Sequence, residues 1–229
     1  MDFNNRILAL LFTWGDTPVY LTESLLATWI VMGVLILFTA YVNLRMRKFK
    51  GVPTGFQNVV ELLVDTMHGF AKETLGEELE PLGAYFFGVF AFVLASNYSA
   101  LFGLRPPTSD LATTGALAIG TFILCHFFGI RKKKGQYFKA YLEPMVPFLP
   151  LNIIDIFTKP VSLAFRLYGN ILSGIIIVGL LYNMLPIVCR FLLPNVAHAF
   201  FDIIVGAIQT YIFTILSMTF IREIASKEE

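Results

Sequence analysis

Four stretches of this 229-residue chain run for twenty residues or more with at most one charge: Ser24–Leu44, Leu82–Leu104, Leu111–Ile130 and Asn195–Ile221. About 20 apolar residues in a helix cross a hydrocarbon core of ~30 Å. A chain built of such runs has no water-facing side to give most of its helices, so it reads as a polytopic all-α membrane protein. Composition agrees, with 14% charged residues where a soluble domain has about a quarter. The net charge of +1 implies no nucleic-acid partner. Cys125 and Cys189 lie in apolar surroundings without CxxC spacing, and read as core residues. The N-terminal apolar run is too short to span and lacks a basic n-region and a small-x-small site, so no removable signal peptide is expected.

Hydropathy places five crossings at about 24–44, 82–104, 111–130, 151–185 and 195–224, within a single membrane domain covering 1–229. Between the first two, 54–75 mixes Phe56, Val59, Val60, Leu63 and Met67 with Gln57, Glu61, Asp65, His68 and Lys72, a spacing that predicts an amphipathic helix. Glu61, Asp65 and Glu73 form its expected wet face. With the N-terminus outside, twelve Lys and Arg fall in inner segments and three, Arg6, Arg105 and Arg190, in outer ones. That bias predicts an outer N-terminus and an inner C-terminus. Residues 195–224 would make a helix of about 45 Å, well beyond the core thickness. Such a helix must tilt strongly or protrude, so the last two crossings are expected as a slanted hairpin against a partner.

The fourth crossing holds Arg166 with no acid three or four positions away. A central arginine costs roughly 2.5–3.5 kcal/mol on insertion scales, so it must face protein, water or a partner charge. At ~100° per residue, Ser162, Gly169, Asn170 and Ser173 fall near the Arg166 direction, a stripe suited to close approach of another helix. Snorkelling toward the interface near Lys159 is the plainer alternative. The fifth crossing holds Asp202 and Gln209, seven apart and expected on one face, with Gly206 between them. Asp202 reads as a proton relay if water reaches it; a structural hydrogen bond and an ion pair with Arg166 are the alternatives. His198 reads as a solvated or capping residue, or a relay; His126 reads as interfacial. Asp155 and Lys159 are spaced for a helical pair. Asp110 after Pro106-Pro107 reads as a helix N-cap, or as lining an outer entrance.

The run KPVSLAFRLYGN (159–170) followed by a Gln-bearing helix resembles subunit a of the F-type ATP synthase, bacterial type. PPTSDLATT (106–114), GIRKKKGQYFK (129–139) and LEPMVPFLPLNIID (142–155) extend the resemblance over nearly the whole chain. It implies a stator subunit that is not catalytic itself, carries ions to and from a rotating c-subunit ring through two offset half-channels, and sits with the peripheral-stalk b subunits in the cell inner membrane. Arg166 matches the family's essential arginine, and Asn170 and Gln209 match the polar residues that accompany it. Two positions depart. Ile175 stands nine after the arginine, where many members have Glu, and Asp202 stands seven before the glutamine, where many have His. The channel carboxylate thus shifts to the adjacent helix, with Ser162, Ser173, His198 and Asp110 as further lining candidates. Ala112 also departs, standing where members often have Asn. No cofactor is implied, and no GxxxxGK[ST] nucleotide loop is present. A secondary transporter is the rival class, opposed by the lack of an internal repeat. A membrane scaffold would leave Arg166 and Asp202 unexplained.

Overall fold

A computed structural model describes residues 7–14, 17–47, 49, 55–140, 147, 149–186, 189, 190 and 192–225. Thr54, Arg6, Lys48, Lys50, Lys227 and most of the Pro-rich stretch 144–150 lie outside the described residues. Five segments are long and apolar enough to span a membrane: Glu23–Met46, Glu77–Phe102, Leu111–Lys133, Leu149–Met184 and Leu193–Ala225. The spanning part is all-α, because only intra-segment hydrogen bonds satisfy backbone groups that meet lipid.

Among the described residues the departure from an all-α chain is an antiparallel hairpin, β1 (Ile7–Trp14) with β2 (Thr17–Thr22). Its apolar run was too short to cross a membrane, and pairing two strands satisfies the backbone instead. Helix α1 (Glu23–Met46) follows without a linker, with Thr22 Oγ1 accepting from the Leu25 N–H at 3.4 Å as its N-cap. Helix α2 (Phe56–Leu75) is the segment expected to be amphipathic, and its far end packs through Ala71 and Leu75. Along it Gln57 donates to Glu61 at 2.7 Å, and Asp65 and Glu73 are exposed.

After a 3-10 turn at Glu77–Leu82, α3 (Gly83–Tyr98) returns, and α4 (Leu111–Lys133) runs back with the short α5 (Gly135–Ala140) after it. Asp110 caps α4: its Oδ1 accepts from the Ala112 N–H at 2.9 Å and its Oδ2 from Ser24 Oγ at 3.1 Å, which ties the start of α1 to the start of α4. Helix α6 (Leu149–Met184) is 36 residues, about 54 Å at 1.5 Å per residue, and continues through Pro160. It therefore begins within two residues of the expected start at 151.

The last crossing is not a uniform α-helix. A short α7 (Leu193–His198) passes into a seven-residue π-helical segment, Ala199–Val205, before α8 (Gly206–Ala225). The wider turn lets the phase fall behind ~100° per residue, so the expectation that Asp202 and Gln209 share a face, which assumed constant phase, does not carry over.

Two apolar clusters hold the helices. One joins Ala71, Leu75, Leu79, Phe86, Cys125, Met218, Ile221 and Ala225; the other joins Val93, Ala118, Leu163, Ala164, Leu167 and Phe213. Many polar groups between the helices are matched, although among the described residues Ser96 Oγ and Gln209 Nε2 are buried without a partner. Buried Asn97 donates to Gly206 O at 3.1 Å and to Thr210 Oγ1 at 3.2 Å, and accepts from Thr108 Oγ1 at 2.8 Å. Gly206 is needed for this approach, since a Cβ there would stand 3.2 Å from Asn97 Cβ. Cys125 and Cys189 are free thiols.

Replacing Asn97 by Leu keeps the bulk but strips a buried hydroxyl of its acceptor, a loss of about 1–3 kcal/mol. The expected outcome is a lower temperature of subunit release from the detergent-solubilised assembly.

Candidate functional site

Arg166 stands at the midpoint of α6 and is exposed, and among the described residues it makes no ion pair or hydrogen bond. The predicted stripe stands around it: Ser162, Gly169 and Ser173 are exposed as well, while Leu163, Ala164 and Leu167 on the opposite side are buried. One face of α6 therefore builds the core, and the other presents a cation among small and polar side chains. The ion pair with Asp202 is not formed, and Arg166 does not reach an acid along its own helix. Lipid is a poor neighbour for a guanidinium at this depth.

Asn170, one turn beyond Arg166, turns from this face toward the last crossing. Its Nδ2 donates to Oε1 of Gln209, and the buried Gln209 Nε2 has no partner among the described residues. The two polar residues placed near the arginine by resemblance are thus in direct contact, and they tie α6 to α8.

Asp202 has a different setting. Its side chain is only 17% exposed and His198 44%, and the two meet at 3.1 Å between Nδ1 and Oδ2, an i,i+4 pair. Both line a cavity of about 370 Å³ at the hairpin end of the bundle. Its wall also includes Asn97, Asn170, Ile175 and Arg105, with Glu23 from the start of α1. Asn170 is therefore shared between the cavity and the Gln209 contact. Ile175 faces the same space as Asp202, so a carboxylate on either helix would address one cavity. Phe201 packs at 3.6 Å from the position of a Gly174 Cβ, which holds the π segment against α6.

A second cavity, about 260 Å³, lies at the opposite end and is lined by His126, Tyr137, Asp155, Lys159 and Glu223 among others. Lys159 Nζ reaches Glu223 Oε1 at 2.9 Å and Asp155 Oδ2 at 3.3 Å, so the expected helical pair gains a partner from α8. His126 Nδ1 contacts the Tyr137 hydroxyl, which joins α4 to α5 rather than leaving the imidazole at a free interface.

Of the sequence candidates, Asn170, Asp202 and His198 come together on one cavity, and Gln209 joins through Asn170. Ser162, Arg166 and Ser173 lie on the uncovered face, and Asp110 is spent on capping α4 and on Ser24. Glu23, Asn97 and Glu223 were missed. Glu23 sits one residue before the apolar run and reads as a boundary charge, and Glu223 as part of the C-terminal polar tail. Asn97 had a signal, an amide inside an uncharged span, that was passed over.

Fold and site together define a polytopic helical membrane protein whose two longest spans carry polar cavities at either end and a cation on an open face. The sequence profile of the family ATP synthase A chain matches residues 25–222. ATP synthase subunit a of Moorella thermoacetica is 38% identical over 214 residues, covering 92% of this chain and 93% of that protein. The chloroplastic subunit a of Stigeoclonium helveticum is 37% identical over 213 residues, with 88% and 83% covered. Subunit a 2 of Acaryochloris marina is 36% identical over 203 residues, with 88% and 84% covered. The chain belongs to the ATP synthase subunit a family.

In a background without Cys125 and Cys189, Ile175→Cys on the cavity wall is expected to react with a small, membrane-impermeant thiol reagent added on the hairpin side. Phe213→Cys, in the core, is expected to stay unlabelled, as read by mass shift of the subunit.

Proposed function

We propose that this chain is the ion-translocating stator subunit of a rotary ATP synthase, a membrane component without catalytic chemistry of its own. The observation that carries the reading is Arg166: exposed, at the middle of the longest span, and without an acidic partner among the described residues. Its partner is the ion-binding carboxylate of a c subunit in the rotating ring. The strip Ser162–Gly169–Ser173 gives the ring's helices a small-residue surface to slide along. A strongly tilted α6 and last crossing, 36 and 33 residues and each longer than the core is thick, follow the curve of that ring. The whole chain acts as one membrane domain, with α2 at the inner surface. The b subunits of the peripheral stalk and lipid cover the remaining apolar faces, including Trp29, Leu37 and Leu44 on α1, all exposed.

The hairpin end is the outer side and the C-terminus lies inside, as the basic residues require. The hairpin-end cavity is then the outer half-channel. Protons enter it, reach Asp202 and His198, and pass by Asn170 to the ring. The two imidazole nitrogens can each donate or accept a hydrogen bond and so hand a proton on, which makes the His198–Asp202 pair fit protons better than Na+. At the inner end the polar groups nearest Arg166 along α6 are Ser162 and the Lys159–Asp155–Glu223 set, and release runs past them.

The mechanism follows from the energetics of charge. A ring carboxylate facing lipid must be protonated, because a bare charge in hydrocarbon is costly. Beside Arg166, an opposite charge within ~4–6 Å favours its ionised form. The cation therefore discharges each arriving site and blocks a direct leak between the half-channels. Every charge that crosses supplies about 2.3 kcal/mol per 100 mV, and the offset between entry and exit turns that work into rotation in one direction.

Arg166→Ala is expected to abolish ATP-driven acidification of inverted vesicles while the subunit remains in the complex. Normal pumping by that variant refutes the stator reading. Asp202→Asn is expected to slow proton entry from the outer side by at least about tenfold, the low end of what a positioned proton-transfer group contributes. An unchanged transport rate removes Asp202 from the path.

A further inference from the structure

Two carboxylates line the outer cavity, Asp202 well inside a span and Glu23 at the first residue of another. Asp202 sits on the π segment with His198. Glu23 is the first residue of α1, half-buried, and lines the same cavity from the hairpin side. Among the described residues it has no ion-pair partner, although its neighbours are fixed: Thr22 caps the helix and Ser24 donates to Asp110. The side chain is thus held in place by its backbone, and its carboxylate has no partner among the described residues. The charged and titratable groups on the wall are Glu23 from α1, Arg105 from the loop before α4, and His198 and Asp202 from the last crossing. Asn97 and Asn170 supply the remaining polar surface. With about 370 Å³ to fill, the space takes several waters among these groups.

We infer that Glu23 is the entry carboxylate of this cavity, collecting protons from the outer medium and handing them through cavity water to the His198–Asp202 pair. The inference rests on the proton-path reading above and adds a residue and a role to it. A proton from hydronium or a buffer acid converts the Glu23 carboxylate to the neutral acid. It leaves to cavity water and arrives at the Asp202–His198 pair, and Glu23 returns to its ionised form. Nothing else is consumed. A negative group at the mouth of a low-dielectric cleft raises the local concentration of the cation it attracts. The gain is largest where free protons are scarcest, and it vanishes when a mobile buffer delivers them directly.

The test uses liposomes holding the whole complex with its soluble part outward, so that the outer cavity opens to the lumen. A potassium diffusion potential drives ATP synthesis, and initial rates are taken per complex containing the subunit. At a luminal pH of about 8 in weak buffer, Glu23→Gln is expected to lose roughly tenfold of the rate, the low end of the range for field-focused capture. The loss is expected to shrink below about twofold at pH ~6 or in concentrated luminal imidazole, where capture no longer limits. Glu23→Asp, which keeps the carboxylate, is expected to restore the rate at the alkaline pH. Glu23→Ser replaces the Gln variant if that one does not assemble.

A variant without the carboxylate that matches the parent at alkaline pH overturns the inference. So does a loss that persists equally at acid pH and in strong buffer, since that marks a structural role. Asp202→Asn run beside it separates the two levels. A defect in Asp202→Asn at every pH with a normal Glu23→Gln removes Glu23 and leaves the path standing. A normal rate in Asp202→Asn removes the path itself, and Glu23 with it.

Discussion

Hydrocarbon offers no hydrogen bonds, so each polar group held between the membrane surfaces has to be matched inside the protein or exposed to water or a partner. Most of this architecture is the working out of that rule. The carboxamide of Asn97 meets Gly206 O, Thr210 and Thr108 at the join of α3, α8 and the turn before α4. Thr121 meets Ser217 at 3.3 Å between α4 and α8, and Asn170 meets Gln209 between α6 and α8. These contacts fix the register of helices whose apolar surfaces alone would pack in several ways, since lipid competes with any Leu–Leu contact.

Against that background Arg166 stands out as a charged group on an exposed face with no ion pair among the described residues. The strongest donor in the longest helix is left on an open face, while weaker amides a turn away are paired. Lys159, seven residues earlier, is the contrast: it sits near the end of the span and holds two acids, Asp155 and Glu223. The two cations on one helix therefore divide the labour. Lys159 ties α6 to α8 through Glu223, and Arg166 is left without an acid among the described residues, as the proposed pairing with a ring carboxylate needs.

The π segment makes the second division possible. A uniform α-helix would set Asp202 and Gln209 on one face and force both toward the same neighbour. The wider turn at Ala199–Val205 sends Asp202 with His198 to the cavity and Gln209 into the helix contact. Asn170 touches both settings, which links the cavity to the strip that carries Arg166. The replacement of an acid by Ile175 on α6 is consistent with this arrangement, because Ile175 and Asp202 look into the same cavity.

Much of this was legible in the sequence. Uncharged runs of membrane length dictate spans whatever the packing, because burying a charge in lipid costs more than any local preference returns. That is why the span boundaries, the Asp110 cap, the Asp155–Lys159 pair and the isolation of Arg166 could be read from residue order. Tertiary structure decided what depends on phase and on distant neighbours: the π segment, the strand pairing at the N-terminus, the place of Asn97, and the meeting of Glu23 with Asp202 across nearly 180 residues of chain. Helical periodicity reads a face only while the turn stays regular, and a cavity wall gathered from four separate segments leaves no local pattern in any of them.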